Sequence, residues 1–499
     1  MNEERQFEID PITGESILVE QPSEGVEINE EFEQALNEAV DQGFADVDRE
    51  AVQTEDVQAK RQAFEDSAIS LNIEYAEMLP KKLPVGLEQT LQNVPDRMKM
   101  PVLFGVLPLA AAYATNVRAR YCDGKMHRLN LMSIIYGRQA SGKSNVRDAV
   151  DLWISPMKWA DEVGRAEEEA FKAKRKSRKA NEKLPEEPRP IIREVPITIS
   201  CSTLLKRFKN AQGQHLYSFG EELGTLQKTN GAGSWSSKYD IYRLSFDNGS
   251  WGQDYNSDQA ESGVVDVAYN WSVLGTLGAV EKCFKADSIE NGMCGRVMFA
   301  QMPSEFYSHM PVYAEPKPVD HDKIIEAVEK LKAADGEIEL PRLSAEIREW
   351  VDRKADQARI EKSLALDTLR KRAAVIGFRC GVIYYLLQGN EKETPNMLKF
   401  ATTIADYCLD NQMAIFGTQL NEVLEMNKIQ SAPESARGKF QKLFSSMPEE
   451  FTKEQIFEAS EGRYTINSMR ANISRFVKFG YIVKVRKGVW RKTEEGKKL

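Results

Sequence analysis

One stretch limits what this chain can fold into more than any other: Leu129–Asn145, LNLMSIIYGRQASGKSN. An apolar run, Leu131 to Tyr136, stops at Gly137. The next eight residues, Gly137-Arg138-Gln139-Ala140-Ser141-Gly142-Lys143-Ser144, fit G-x-x-x-x-G-K-[ST]. After Ser144 the pattern turns helical, with Val146, Val150, Leu152 and Trp153 among polar residues. Strand, glycine-bounded loop and helix is the setting in which backbone N–H groups turn inward and cradle phosphate oxygens. Gly137, Ser141, Gly142, Lys143, Ser144 and Asn145 are the expected nucleotide contacts. Lys143 reaches the β- and γ-phosphates, the Ser144 hydroxyl can ligand Mg²⁺, and the helix start adds partial positive charge. ATP and Mg²⁺ are therefore the expected ligands. The competing reading is a chance glycine-rich turn before a helix.

A chain of 499 residues has room for several domains. Its net charge of -9 gives no global nucleic-acid signal, so any basic surface must be local. Cys122, Cys201, Cys283, Cys294, Cys380 and Cys408 are scattered, and no two have C-x-x-C spacing. None of the four histidines sits beside a cysteine with ligand spacing. That argues against structural zinc or a disulfide framework and for a reducing cytoplasm. MNEERQFEID is too acidic for a secretory signal, and no apolar run is long enough to span a bilayer.

In chain order, residues 1–70 are acidic and poor in aromatics, and read as a disordered or loosely helical arm. Tyr75 to Ala119 reads as helical with proline breaks at Pro80, Pro84, Pro95, Pro101 and Pro108. Arg118–Tyr121 and Leu129–Tyr136 read as a hairpin or two sheet strands, with a turn at Asp123-Gly124. Asp161 to Arg193 is a charged stretch that is either an exposed helix with a proline-rich linker or a DNA-contacting insertion. Ile192–Ser200 reads as a strand and Ser202–Asn210 as a short amphipathic helix.

His215–Phe219 is a further strand, ending in Gly220-Glu221-Glu222-Leu223. An apolar strand followed by two acids is the second element that phosphate-loop ATP hydrolysis requires. Glu221 is assigned to the metal shell with Ser144, and Glu222 to the attacking water. An acidic strand-to-loop turn is the alternative. Lys238, Tyr239, Tyr242 and Arg243 lie in a Gly/Ser/Trp-rich stretch. They suit either single-stranded nucleic acid, with aromatics on bases and cations on phosphates, or a protein contact. Val264–Gly278 is a third apolar strand. Its Asn270 and Thr276 could touch the γ-phosphate or water, or merely cap the strand. Arg296, between Gly295 and a strand, is well placed for an arginine finger. It could equally pair with a carboxylate of its own subunit.

The phosphate loop, Gly220-Glu221-Glu222-Leu223, Phe246-Asp247-Asn248-Gly249 and Gly292–Arg296 occur in this order. Together they resemble the P-loop ATPase domain of primase–helicase proteins carried by phages and mobile elements, over roughly Leu79 to Gly417. The resemblance implies a RecA/AAA-like α/β core, often coupled to a primase, although this chain has no obvious primase or zinc module. It implies a DNA helicase in which a neighbour's arginine enters the site, hence a homo-oligomer such as a hexameric ring.

Residues 71–310 are thus read as the ATPase core with a helical cap, and 311–430 as a helical lid behind it. Within the lid, Leu343–Ile376 and Val382–Ile415 read as helices. Residues 431–499 read as a winged helix: a polar hinge at Ser431–Lys439, three helices and a two-stranded hairpin over 481–492. One face of the last helix carries Ile466, Met469, Ile473, Phe476 and Val477. Arg463 to Lys492 holds many cations and no acid. Arg470, Arg475, Lys478, Lys484, Arg486 and Lys487 are the expected DNA contacts, with protein packing as the alternative. The sequence-level reading is a cytoplasmic ATP-driven motor on single-stranded or forked DNA in replication, with a primase or other replication partner and no membrane. Its rivals are a DNA-bound ATPase switch, such as an initiator or helicase loader, and a scaffold that holds nucleotide.

Overall fold

The computed structural model describes Phe7–Ile9, Ser16–Leu18 and most of 69–494. Outside the description fall 180–181, 183–184, 229–232, 255–260, 286–288, 290, 304–317, 390, 431–446 and 459–472, single positions or pairs elsewhere over 453–487, and 495–499. The chain divides into two compact units, Met1–Phe64 and Glu65–Leu499. In the first, Phe7–Ile9 and Ser16–Leu18 form an antiparallel pair where an irregular or helical arm was expected. The second unit takes in everything that the sequence suggested as core, lid and C-terminal module.

The centre is a four-stranded parallel sheet. Its strands are β1 (Met132–Tyr136), β2 (Leu216–Gly220), β3 (Tyr269–Gly275) and β4 (Met298–Gln301), in the order β4-β1-β3-β2. Every residue of β1, β3 and β4 is buried, which is why these strands read as unbroken apolar runs. Alternation still assigns the two faces of β3. Tyr269 and Trp271 join an aromatic cluster with Trp235 and Tyr242. On the other face Ser272 donates to the Gly105 carbonyl at 2.7 Å. Beyond β2, the expected strand Ile192–Ser200 contributes a single parallel bridge, Glu194 to Tyr217. Pro196 lacks the N–H to continue a ladder.

Gly105 belongs to α1 (Asp96–Tyr113), which contains Pro101 and Pro108 without breaking. A mid-helix proline costs about 3 kcal/mol. Here it is offset by burial of every residue from Met100 to Tyr113 against the sheet and α2 (Ser144–Ser177). A Cβ on Gly105 would sit 2.4 Å from Val146 Cγ1, so glycine is what lets α1 cross α2. The charged stretch from Asp161 is the outer half of α2, with Lys172, Lys174, Arg175 and Lys176 exposed.

The turn at Asp123-Gly124 exists, with Gly124 at φ 86°, but it joins Asn116–Arg120 to Met126–His127 rather than to β1. Asn116–Arg120 also pairs in parallel with Asp335–Ile338 in a separate three-stranded sheet.

Three long helices follow: α3 (Pro341–Glu361), α4 (Leu364–Leu387) and α5 (Pro395–Gln430). The expected single helix over 343–376 is interrupted at Lys362, which is left-handed at φ 54°, and restarts where Ser363 Oγ accepts from Leu366 N. Gly377 and Gly381 lie inside α4. A Cβ on Gly377 would be 2.5 Å from the Ala401 carbonyl oxygen, so these glycines bring α4 onto α5 rather than ending a helix. Gln412 donates to the Val297 carbonyl at 2.9 Å, and Phe416 meets Phe299 at 5.1 Å. α5 therefore flanks the β4 edge of the sheet.

At the C-terminal end Glu450–Thr452, Val489–Lys492 and Ile482–Arg486 form an antiparallel sheet, in that order. Its core is Met447, Phe451, Ile473, Ile482 and Trp490, with Phe476 and Tyr481 against it. The expected hairpin over 481–492 is present, turning at Gly488 with φ 82°. Val477, expected on the buried face, is 44% exposed. The expected hinge, Ile466 and Met469 lie outside the described residues. Among the described residues no helix is long and apolar enough to cross a membrane.

Candidate functional site: the phosphate loop and its edge of the sheet

The loop 137–143 leaves the C-terminal end of β1 and enters α2, as the sequence pattern required. Two of its residues are left-handed, Ala140 at φ 59° and Gly142 at φ 76°. Successive turns of that kind curl backbone amides around a common point and make an anion nest. A Cβ on Gly142 would lie 2.7 Å from Met98 Cε, and one on Gly137 2.7 Å from Ser141 Oγ. The loop is held shut by Ser141 Oγ donating to the Arg138 carbonyl at 2.9 Å and by Asn145 Nδ2 donating to the Gly142 carbonyl at 2.9 Å. Ser141 and Asn145 thus shape the loop through its own backbone. Gln139, Ala140 and Ser144 stay exposed.

Lys143 Nζ donates to two carbonyls, Gly137 and Gly275, each at 3.2 Å. Gly275 ends β3, the strand between the phosphate-loop strand and the acidic one, and its carbonyl also accepts from Gly137 N at 3.0 Å. The lysine therefore spans the loop mouth. Partial burial lowers its pKa, and the Glu222 carboxylate opposes that shift. Glu222 is exposed, with Oε1 accepting from Gly224 N at 3.1 Å. Glu221 lies 3.5 Å from Arg147 Nη1, on the first turns of α2. Both acids thus stand at the same edge as Lys143 and Ser144. This donor set suits a nucleotide triphosphate with Mg²⁺: an amide nest, one ammonium, one hydroxyl and two solvent-facing carboxylates. Among the described residues no cluster of three or more His, Cys, Asp or Glu could hold a metal by itself.

Thr276 follows Gly275 and caps the helix Leu277–Cys283, its Oγ1 accepting from Ala279 N at 3.3 Å. It stands at the same edge as Lys143 and caps a helix rather than a strand. Asn270 does not stand there. Its Oδ1 accepts from Leu131 N at 2.8 Å, at the opposite end of the sheet, and this corrects the expectation that it could reach a γ-phosphate.

Arg296 is also at that opposite end. The register Met298↔Ser133 and Gln301↔Tyr136 sets it about six residues below the loop, roughly 20 Å away. It is 7% exposed, and its Nη2 lies 2.6 Å from Asp247 Oδ2 while its Nε faces both carboxylate oxygens. Nη1 donates to the Gly292 carbonyl at 2.7 Å. Of the two sequence alternatives, the geometry is that of an arginine bound to a carboxylate of its own chain. A neighbour's phosphate would have to displace Asp247.

Arg372 Nη1 also meets Asp247 at 2.8 Å, and fully buried Arg379 stacks over Phe246 at 4.4 Å while donating to the Phe246 and Asn130 carbonyls. Burial alone would push the Asp247 carboxyl up. The hydrogen bond and charge of Arg296, with Arg372 and Arg379, hold it below the ordinary carboxylate range. The linear sequence assigns Asp247 no role of its own, although the Phe246-Asp247-Asn248-Gly249 quartet is its visible signal.

Lys238 and Tyr242, read from the sequence as facing either single-stranded nucleic acid or a protein, are instead fully buried. Lys238 Nζ donates to the Ile197 carbonyl at 2.5 Å, and burial lowers its pKa to about 8. Tyr239 and Arg243 do line a cavity. In the C-terminal module Lys484 and Arg486 are exposed, whereas Arg470, Arg475, Lys478 and Lys487 lie outside the described residues. Two other cations of that segment are engaged internally, Arg491 with Glu450 at 2.5 Å and Lys492 with the Met447 carbonyl at 2.7 Å. No protein-family model and no curated protein matches this chain.

Proposed function

We propose that this chain is a cytoplasmic ATPase that works on DNA, a helicase or translocase of a phage or mobile genetic element acting in replication. One observation carries the reading. Lys143 bridges the mouth of a left-handed, glycine-pinched loop to the end of the neighbouring strand, at the edge where Glu222 also stands. The order β4-β1-β3-β2 supports it, because it inserts one strand between the phosphate-loop strand and the acidic strand, as a RecA/AAA-like core would.

In this proposal the loop amides and Lys143 hold the triphosphate of ATP. Ser144 and Glu221 hold Mg²⁺, which neutralises charge on the phosphate oxygens. Glu222 orients the attacking water. The C-terminal module is then a winged helix whose Lys484 and Arg486 meet DNA phosphates, and the working form is a ring of copies, with a primase as a candidate partner. Thiols in place of disulfides among the described residues suit a reducing compartment.

The test is ATP turnover with and without single-stranded DNA, followed by strand displacement on a forked duplex. Turnover that depends on Lys143 and rises with DNA supports the reading. Near-normal turnover by Lys143→Ala would refute it. DNA-stimulated turnover without displacement would make the chain a switch, and nucleotide binding without turnover a scaffold.

A further inference from the structure

Two short helices lead from the phosphate edge to a second feature. Leu223–Lys228 starts immediately after Glu222, and Leu277–Cys283 starts at the Thr276 cap. They pack on each other, and a Cβ on Gly275 would lie 2.8 Å from Leu223 Cβ. The far ends of both helices, together with Trp235–Arg243, enclose an open cavity of about 800 Å³. That is within the ~300–1,000 Å³ range of ligand pockets. Arg243, Lys282 and Lys285 line it, drawn from two stretches of chain, and among the described lining residues Asp240, which Arg243 meets at 3.2 Å, is the one carboxylate. In a chain of net charge -9 such a local excess of cations is an electrostatic footprint. Trp235, 6% exposed, forms part of the wall and is held there by Tyr242, Trp271 and Phe284. Half-buried Tyr239 stands on the rim.

We infer that this cavity takes a segment of single-stranded nucleic acid, with Lys282, Lys285 and Arg243 on phosphates and the Tyr239 ring under a base. Cations that track a backbone beside an aromatic face are the chemistry that binds single strands regardless of sequence. A partner protein would find no comparable apolar surface here, since Leu226 and Cys283 are the only aliphatic or thiol side chains of the lining among the described residues. The inference deepens the proposed DNA-dependent ATPase. A strand seated here touches the helices whose first residues adjoin Glu222 and Gly275, so its binding and the geometry around Lys143 share two elements.

The experiment uses the full chain and a fluorescein-labelled oligothymidylate, read by anisotropy across a salt series. Lys282→Glu with Lys285→Glu should weaken binding about 10-fold or more and reduce the salt slope by roughly 0.7 for each phosphate no longer neutralised. Tyr239→Ala should weaken it on the order of 10-fold, with Tyr239→Phe close to wild type. The two lysines are exposed, so thermal melting should be unchanged. An oligonucleotide carrying 5-iodouracil should crosslink to the Trp235–Arg243 segment. Unchanged affinity and slope in the double variant, crosslinks confined to the C-terminal module, or no binding by the wild type would each overturn the inference. ATP turnover is measured in parallel without nucleic acid. Lys143-dependent turnover alongside wild-type binding in the double variant removes the cavity site and keeps the ATPase. Binding that maps to the cavity without any turnover does the reverse.

Discussion

The two ends of the central sheet use the same residue types in opposite ways. At the C-terminal end Lys143, Glu221 and Glu222 stand half-buried or exposed, and Lys143 rests on two carbonyls. At the N-terminal end Arg296, Arg372 and Arg379 are gathered around one carboxylate and one aromatic ring, with Asp247 held ionised between them. Charges meant to meet a ligand must be reachable and incompletely neutralised. Charges that fasten helices to a sheet must be paired: Arg296 and Arg379 are buried, and Asp247, which itself reaches solvent, is the anion between Arg296 and Arg372.

The sharpest break of this contrast is Lys143→Ala. Its ATP turnover is expected to fall at least 1,000-fold with urea stability nearly unchanged, because the lysine gives up only two carbonyl contacts. Asp247→Ala should do the opposite and destabilise by about 1–3 kcal/mol, since it removes the anion from buried Arg296 although Asp247 itself reaches solvent. Urea titration of the two variants side by side checks this. A stable Asp247→Ala chain that has lost turnover would move the active edge to the other end of the sheet. The native Asp247 pKa lies below the unfolded value of 3.8. Its contribution should therefore be full above that value and fade as pH falls through the native one.

Glu222→Gln is next, with a loss on the order of 100-fold in turnover and intact ATP binding, measured by fluorescent-nucleotide titration. If Glu221→Gln is the more severe, the metal and water assignments are exchanged. The last effect concerns Lys238, buried with no carboxylate against it among the described residues. Its pKa is about 8 in the folded state against 10.5 for the unfolded chain. Between those values the unfolded chain holds the proton that the folded chain has released, so stability should rise with pH across that window, by on the order of 2–3 kcal/mol. Lys238→Met should flatten that rise and melt higher at neutral pH.

The strand Met132–Tyr136, the glycine-bounded loop after it and the start of the next helix were legible because they depend on local rules: an apolar run, glycine spacing, and a helix that begins at Ser144. Glu221 and Glu222 were legible for the same reason, as the end of a strand. Interruptions by proline and glycine were misleading in α1 and α4. Pro101, Pro108, Gly377 and Gly381 sit inside helices whose full burial outweighs local propensity, and no single-residue rule contains that energy. What belongs to each end of the sheet was decided only by tertiary structure. Arg296 and Lys143 are both cations beside glycines in the sequence. The parallel register of β4 on β1 sets one about six residues below the other, and a contact between Arg296 and Asp247, 49 positions apart, turns it from a candidate finger into a fastening. Lys238 and Tyr239 are neighbours in the chain, and the first is buried while the second stands on the cavity rim. A helix presents successive residues to different sides, so which of the two meets solvent depends on what packs against the helix.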